Sequence, residues 1–238
     1  MPNSKKNNQN VIFLKTSIFI LNSLFILPNS RAESVEDFYK FFKTSKYLDA
    51  KASLEKIDFK DKESTKFYLL GLTHARLQEF DQAIVNFEKA KRLNNEAIDL
   101  NYELGQAYYA ATELKKAILA FEKSSELNFN RTNSLYYIGT ISQTLEDYNK
   151  ARESFTKIIK DKTSPDSIVQ LARFQLAETL LSVAREKKES SSIVEKYVLP
   201  LMQQAIDTDT TSTVARDIKQ RILEITNEFN LDPNVMVY

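Results

Sequence analysis

The sequence predicts an all-α fold, a solenoid of stacked helix–turn–helix repeats closed by a C-terminal capping helix. Three observations predict it. The chain has 238 residues but only three Gly and five Pro, too few for an all-β chain, which needs turn formers at frequent intervals. The three Gly, Gly71, Gly105 and Gly139, are spaced 34 residues apart. Apolar and small residues recur around them with the same period, and two helices of about 14 residues with two short turns fill about 34.

The first element, residues 1–32, reads as a leader. Lys5, Lys6 and Lys15 come before the end of an apolar run, TSIFILNSLFIL (16–27), and no acid precedes Glu33. Pro28 ends the run, and Ser30 and Ala32 are small residues at a cut-site spacing. This is the pattern of a cleaved secretory signal peptide. An uncleaved membrane anchor is the alternative, although the run is shorter than the roughly 20 residues of a spanning helix; a buried N-terminal helix is the third reading. Cleavage after Ala32 would remove Lys5, Lys6, Lys15 and Arg31, taking the basic residues from 33 to 29 against 32 acids, near −3.

Residues 33–230 form the expected repeat domain. Numbered so that the Gly is place eight, three clear units occupy 64–97, 98–131 and 132–165. Place seven is Leu70, Leu104 and Ile138; place twenty is Ala83, Ala117 and Ala151; place twenty-four is Phe87, Phe121 and Phe155. Small residues at eight and twenty let the two helices of a unit approach closely, and the Phe fills the space around that contact. Gly inside a helix costs about 1 kcal/mol against Ala, a cost that makes sense if a side chain at place eight would collide with the second helix.

These residues resemble the tetratricopeptide repeat, W-x2-L-G-x2-Y, then A-x3-F, then P. The units give Phe67-x2-Leu70-Gly71-x2-His74 with Ala83-x3-Phe87, Asn101-x2-Leu104-Gly105-x2-Tyr108 with Ala117-x3-Phe121, and Leu135-x2-Ile138-Gly139-x2-Ser142 with Ala151-x3-Phe155. The closing Pro is replaced by Asn95, Phe129 and Thr163, and the Gly of the inner turn by Gln78, Thr112 and Glu146. The resemblance implies a right-handed superhelix and a role in binding proteins. With the leader it implies an exported protein, in a bacterial periplasm or else anchored and facing outward.

Degenerate units flank the clear ones. At 33–63, Phe38, Phe41, Tyr47, Ala50, Leu54 and Ile57 fall on repeat places. At 166–207, Ser164 and Pro165 suit a helix start, and Leu176-Ala177-x2-Leu180 continues the pattern. A polar loop is expected at 185–192, then a partner helix at 193–206 broken or kinked at Pro200. The last helix, 213–230, carries a stripe of Val214, Ile218, Ile222, Ile225 and Phe229 against a polar face. That is the form of a cap, with a homodimer contact as the alternative. Residues 231–238 are the tail.

No catalytic constellation is visible. The chain has no Cys and one His, which excludes thiol chemistry and leaves His74 as a packing residue at place eleven; a metal ligand would need partners the sequence does not offer. The Gly spacing rules out a phosphate loop. The net charge of +1 gives no basic excess for nucleic acid. No enzyme activity, cofactor or metal is expected.

The remaining candidate is a face. In the resembling family the first helices line a concave surface that holds peptides. Places five, nine and twelve share one side of a first helix. They give Tyr68, Tyr102 and Tyr136, then Leu72, Gln106 and Thr140, then Tyr109, with Tyr137 on the border. Tyr offers contact area with a polar tip, although the ladder could equally serve packing between repeats. Family members that clamp a C-terminal carboxylate use Lys, Asn and Arg there. The matching positions here, Tyr68, Leu72, Glu103, Asn133 and Tyr137, lack the basic set, so an acidic peptide end is disfavoured.

Overall fold

The computed structural model describes residues 29–187 and 190–232. The expected signal segment up to residue 28 and most of the tail lie outside the described residues. Contacts divide the chain into two units, Met1–Asp58 and Phe59–Tyr238.

In the first unit, α1 (Asn29–Lys43) and α2 (Tyr47–Leu54) form a helical hairpin. The expected cut after Ala32 falls within the helical backbone of α1. Phe38, Ala50 and Leu54 are fully buried, and the Phe38 ring stacks on Phe42 at 5.4 Å. The turn is closed by Ser45 at φ 58°, with the Lys46 N–H bonded to the Phe41 carbonyl at 2.9 Å.

In the second unit, α3 (Glu63–Arg76) with α4 (Phe80–Arg92), α5 (Leu100–Ala110) with α6 (Leu114–Glu126), and α7 (Arg131–Thr144) with α8 (Tyr148–Lys160) fill the three expected repeats. The reason for the Gly spacing is direct. A Cβ on Gly105 would lie 2.9 Å from the Phe121 ring, one on Gly139 would lie 2.6 Å from Phe155, and one on Gly71 would overlap Phe87. Phe87, Phe121 and Phe155, with Ala83, Ala117 and Ala151, are fully buried. Each Phe contributes on the order of 1.5–3 kcal/mol of burial.

The inner turns keep the geometry that Gly would give, without Gly. Gln78, Thr112 and Glu146 stand at φ 61°, 60° and 60°. In each case the next N–H reaches back five residues: Glu79 to His74, Glu113 to Tyr108, Asp147 to Ser142, all at 2.9 Å. This is the Schellman closure of a helix C-terminus. Asn94 and Asn128 close α4 and α6 the same way. After α8 the pattern changes, and Asp161 caps an Asx-type turn by accepting from the Thr163 N–H at 2.9 Å and its hydroxyl at 2.7 Å.

α9 (Asp166–Lys187) continues the array and is longer than the first helices before it. It extends into the expected polar loop because Leu181 and Ala184, both buried, prolong its apolar stripe. α10 (Ser190–Ile193) runs through a π turn, Val194–Val198, into α11 (Leu199–Thr208). Pro200 has no N–H and its ring would meet the carbonyl four residues back; the widened turn just before it removes that conflict. The Gln170 side chain, 2% exposed, ties this end together by donating to the carbonyls of Ala205 and Asp209 and accepting from Ser212.

α12 (Thr213–Glu228) buries Ala215, Ile218, Ile222 and Ile225 in one cluster with Leu181, Val198 and Met202, with Val214 and Phe229 packed at its edge. The apolar stripe is thus consumed within the chain rather than offered to a second copy. Asn230 ends α12 in the same left-handed turn, φ 50°, with Leu231 bonded back to Thr226 at 2.9 Å. Aligned on that turn, α12 is in register as a further first helix. Leu223 then takes the place of the repeat Gly, and it is 57% exposed where the other units set their own second helix.

Candidate partner-binding face

Successive first helices are joined by polar side chains. The Tyr68 hydroxyl on α3 reaches both carboxylate oxygens of Asp99, just before α5, at 2.7 and 2.8 Å. Arg76 of α3 donates to both oxygens of Glu103 on α5 at 3.1 and 3.3 Å. Gln106 of α5 bonds Tyr137 of α7. Gln143 of α7 donates to the Gln175 carbonyl at 3.0 Å and to Thr179 at 2.9 Å on α9, while Tyr136 bonds the Gln175 side chain. Arg221 of α12 donates to both oxygens of Glu178 on α9 at 2.9 and 3.2 Å.

These seams set the electrostatics. Burial lifts the Asp99 carboxyl to about 6; the Tyr68 hydroxyl pulls it down, and the neighbouring Glu103 adds to the rise. Burial also raises Tyr102 and Tyr137, and lifts Tyr136 to about 12. The Glu103 side chain, 4% exposed, is held by Arg76, which supplies the charge that a buried carboxylate requires.

The eight residues read as one face do not form one surface. Leu72, Tyr102, Gln106 and Tyr137 are buried. Tyr137 stacks on Phe121 at 4.6 Å and 2°. Tyr102 lies edge-on to Phe121 at 5.7 Å and Phe129 at 5.9 Å, and its hydroxyl has no hydrogen-bond partner among the described residues. Phe129 stands where the repeat has its closing Pro. It adds a ring against Tyr102; the equivalents beside Tyr68 and Tyr136 are Asn95 and Thr163, and those Tyr remain half-buried. Thr140 is half-buried and gives its hydroxyl to the Tyr137 carbonyl at 3.1 Å.

Tyr109 differs from the rest. It is half-buried, packs edge-on against Tyr137 at 5.4 Å, and its hydroxyl makes no hydrogen bond among the described residues. Its ring is held while its polar tip is unengaged. The inter-helix partners Asp99, Arg76, Gln143 and Gln175 were not singled out in the sequence as bridging residues. The pairs do not recur at the same places from unit to unit, so the 34-residue period gave no signal for them.

His74 is buried and its Nδ1 pairs with Glu79 at 2.5 Å across the inner turn. Among the described residues no group of three or more His, Asp or Glu is placed to hold a metal ion.

The tetratricopeptide repeat family model matches residues 67–96 and 98–131. These two stretches are tetratricopeptide repeats. Its fold is shared with solved repeat structures. YrrB, described as a TPR protein with an unusual peptide-binding site, superposes with a TM-score of 0.63 at 19% identity, over 80% of this chain and 92% of that one. MamA AMB-1 gives 0.61 at 16%, over 79% and 96%. The C-terminal part of a TPR repeat-containing protein from Cytophaga hutchinsonii gives 0.61 at 16%, over 88% and 87%. No curated protein matches the chain. At these identities the likeness carries the fold, and the tetratricopeptide array fixes what positions the face: first helices side by side, second helices behind them.

Proposed function

We propose that the chain is a non-catalytic scaffold that holds an extended peptide segment of a partner protein on the first-helix face of α3, α5 and α7. The observation that carries this reading is Tyr109. Its ring is fixed against Tyr137, so binding costs little side-chain entropy, and its free hydroxyl can meet a peptide carbonyl or N–H. Stacked repeats offer such a face as a long continuous surface. Tyr68 and Tyr136 add contact area, while their hydroxyls serve the seams. The unusual peptide-binding site described for YrrB agrees with this use of the fold.

The test is selection of peptides from a displayed library on the purified protein, followed by titration of the selected peptides. Tyr109→Ala should weaken binding at least tenfold and leave the helical circular dichroism intact. Unchanged affinity would overturn the assignment.

The leader supports an extracytoplasmic setting, with the chain acting in envelope assembly. No helix among the described residues is long and apolar enough to cross a membrane, so an anchored form would depend on residues 11–27. N-terminal sequencing of protein from the envelope fraction separates a mature start at Glu33 from retained anchoring.

A further inference from the structure

The turns that lead from each second helix to the next first helix share one rim of the array. Two of these turns expose aliphatic side chains. Leu93 and Ile98 lie between α4 and α5, each 45% exposed, and Leu127 lies between α6 and α7, 46% exposed. Leu93 and Leu127 are 34 residues apart, and packed neighbouring helices lie about 8–10 Å apart, so the two belong to one row. Exposed basic residues surround them: Lys91 and Arg92 before Leu93, Arg131 after Leu127, and Lys160 and Lys162 in the third turn. The rim also carries acids, and Asp161 keeps its charge and faces Arg131. Glu126 pairs with Lys123, and Asp161 accepts from Thr163; Glu96 is exposed.

Helix dipoles explain part of this basic excess, since Lys91, Arg92 and Lys160 end helices. They do not explain Arg131, which opens α7 where a cation is disfavoured, or Lys162, which lies beyond a helix. Nor do they explain the exposure of Leu93, Ile98 and Leu127 there. Aliphatic groups set among Lys and Arg are the composition of a surface that rests on an anionic bilayer, the apolar groups entering the headgroup boundary and the cations meeting phosphate. A polyanion such as RNA would use the charges and leave the aliphatic groups unused.

We propose that this rim docks on an anionic lipid surface. The apolar run at 16–27, read as a signal or an anchor, would bring the chain to a membrane and agrees with that placement.

The test is co-sedimentation of the full chain with vesicles of phosphatidylglycerol and phosphatidylcholine, against phosphatidylcholine alone. The leader is common to every variant and cancels in the comparison. Wild type should prefer the anionic vesicles at least tenfold, and the preference should fall with salt. Arg92→Glu with Lys160→Glu should weaken anionic binding at least about fivefold per charge, and Leu93→Ser with Leu127→Ser should weaken it several-fold with the charge unchanged. Equal binding to both vesicles overturns the proposal. So does full retention by either double variant. Loss in the charge variant with no loss in the leucine variant, together with equal capture by RNA, also overturns it and marks a plain polyanion surface.

Discussion

The Tyr68 hydroxyl sits within 2.8 Å of both carboxylate oxygens of Asp99, across the seam between the first and second clear repeats. The carboxyl is lifted from 3.8 to about 6 by burial, so the folded chain holds that proton more tightly than the unfolded chain. Its stabilising contribution is complete below about 3.8 and is lost as pH rises through about 6. Urea unfolding between pH 4 and 8 should show stability falling across that window by at most about 3 kcal/mol from this group. Asp99→Asn should remove that part of the slope and exceed wild type at pH 7. A variant with the wild-type slope would refute the assignment.

Gly105→Ala should destabilise, although Ala is the better helix former by about 1 kcal/mol. The added methyl meets the Phe121 ring at 2.9 Å in a fully buried position, and overpacking of this kind costs about 1–3 kcal/mol. Phe121→Leu alone should also destabilise, but the double variant should recover part of the sum. Chemical denaturation of all four proteins gives the coupling; strict additivity would mean that the two residues do not compete for space.

Thr112 holds φ 60°, a left-handed conformation that is poor for a β-branched residue. Thr112→Gly should raise stability by about 1 kcal/mol, the release of strain exceeding the entropy that Gly adds to the unfolded chain. Gln78→Gly should gain less. Melting curves decide this, and a lower midpoint for Thr112→Gly would mean that the turn is unstrained.

Tyr102 carries a buried hydroxyl without a hydrogen-bond partner among the described residues. Tyr102→Phe should therefore be neutral or stabilising by up to about 1 kcal/mol and should leave peptide affinity unchanged. Tyr102→Ala, which empties the space beside Phe121, Phe129 and Tyr137, should cost about 3–5 kcal/mol. A destabilised Phe variant would show that the hydroxyl is bonded in solution.

The 34-residue spacing of Gly71, Gly105 and Gly139 determined the helical hairpins and the contact with Phe87, Phe121 and Phe155, because a missing Cβ has one steric meaning inside a helix. The i, i+3, i+4 stripe of 213–229 likewise determined an amphipathic last helix, because helical periodicity is local. The tertiary structure alone decided which Tyr face outward. Places five, nine and twelve of a helix share a side, but whether that side is open depends on what the next repeat brings against it. Phe129 adds to the cover of Tyr102, while Asp99 and Gln175 take the hydroxyls of Tyr68 and Tyr136, leaving Tyr109. Those partners lie about one repeat away in sequence, and periodicity within a helix carries no record of them. The inner turns show the same division. Sequence marked Gln78, Thr112 and Glu146 as departures from Gly, and only the packed hairpin, by fixing where both helices must run, imposed the left-handed backbone on them.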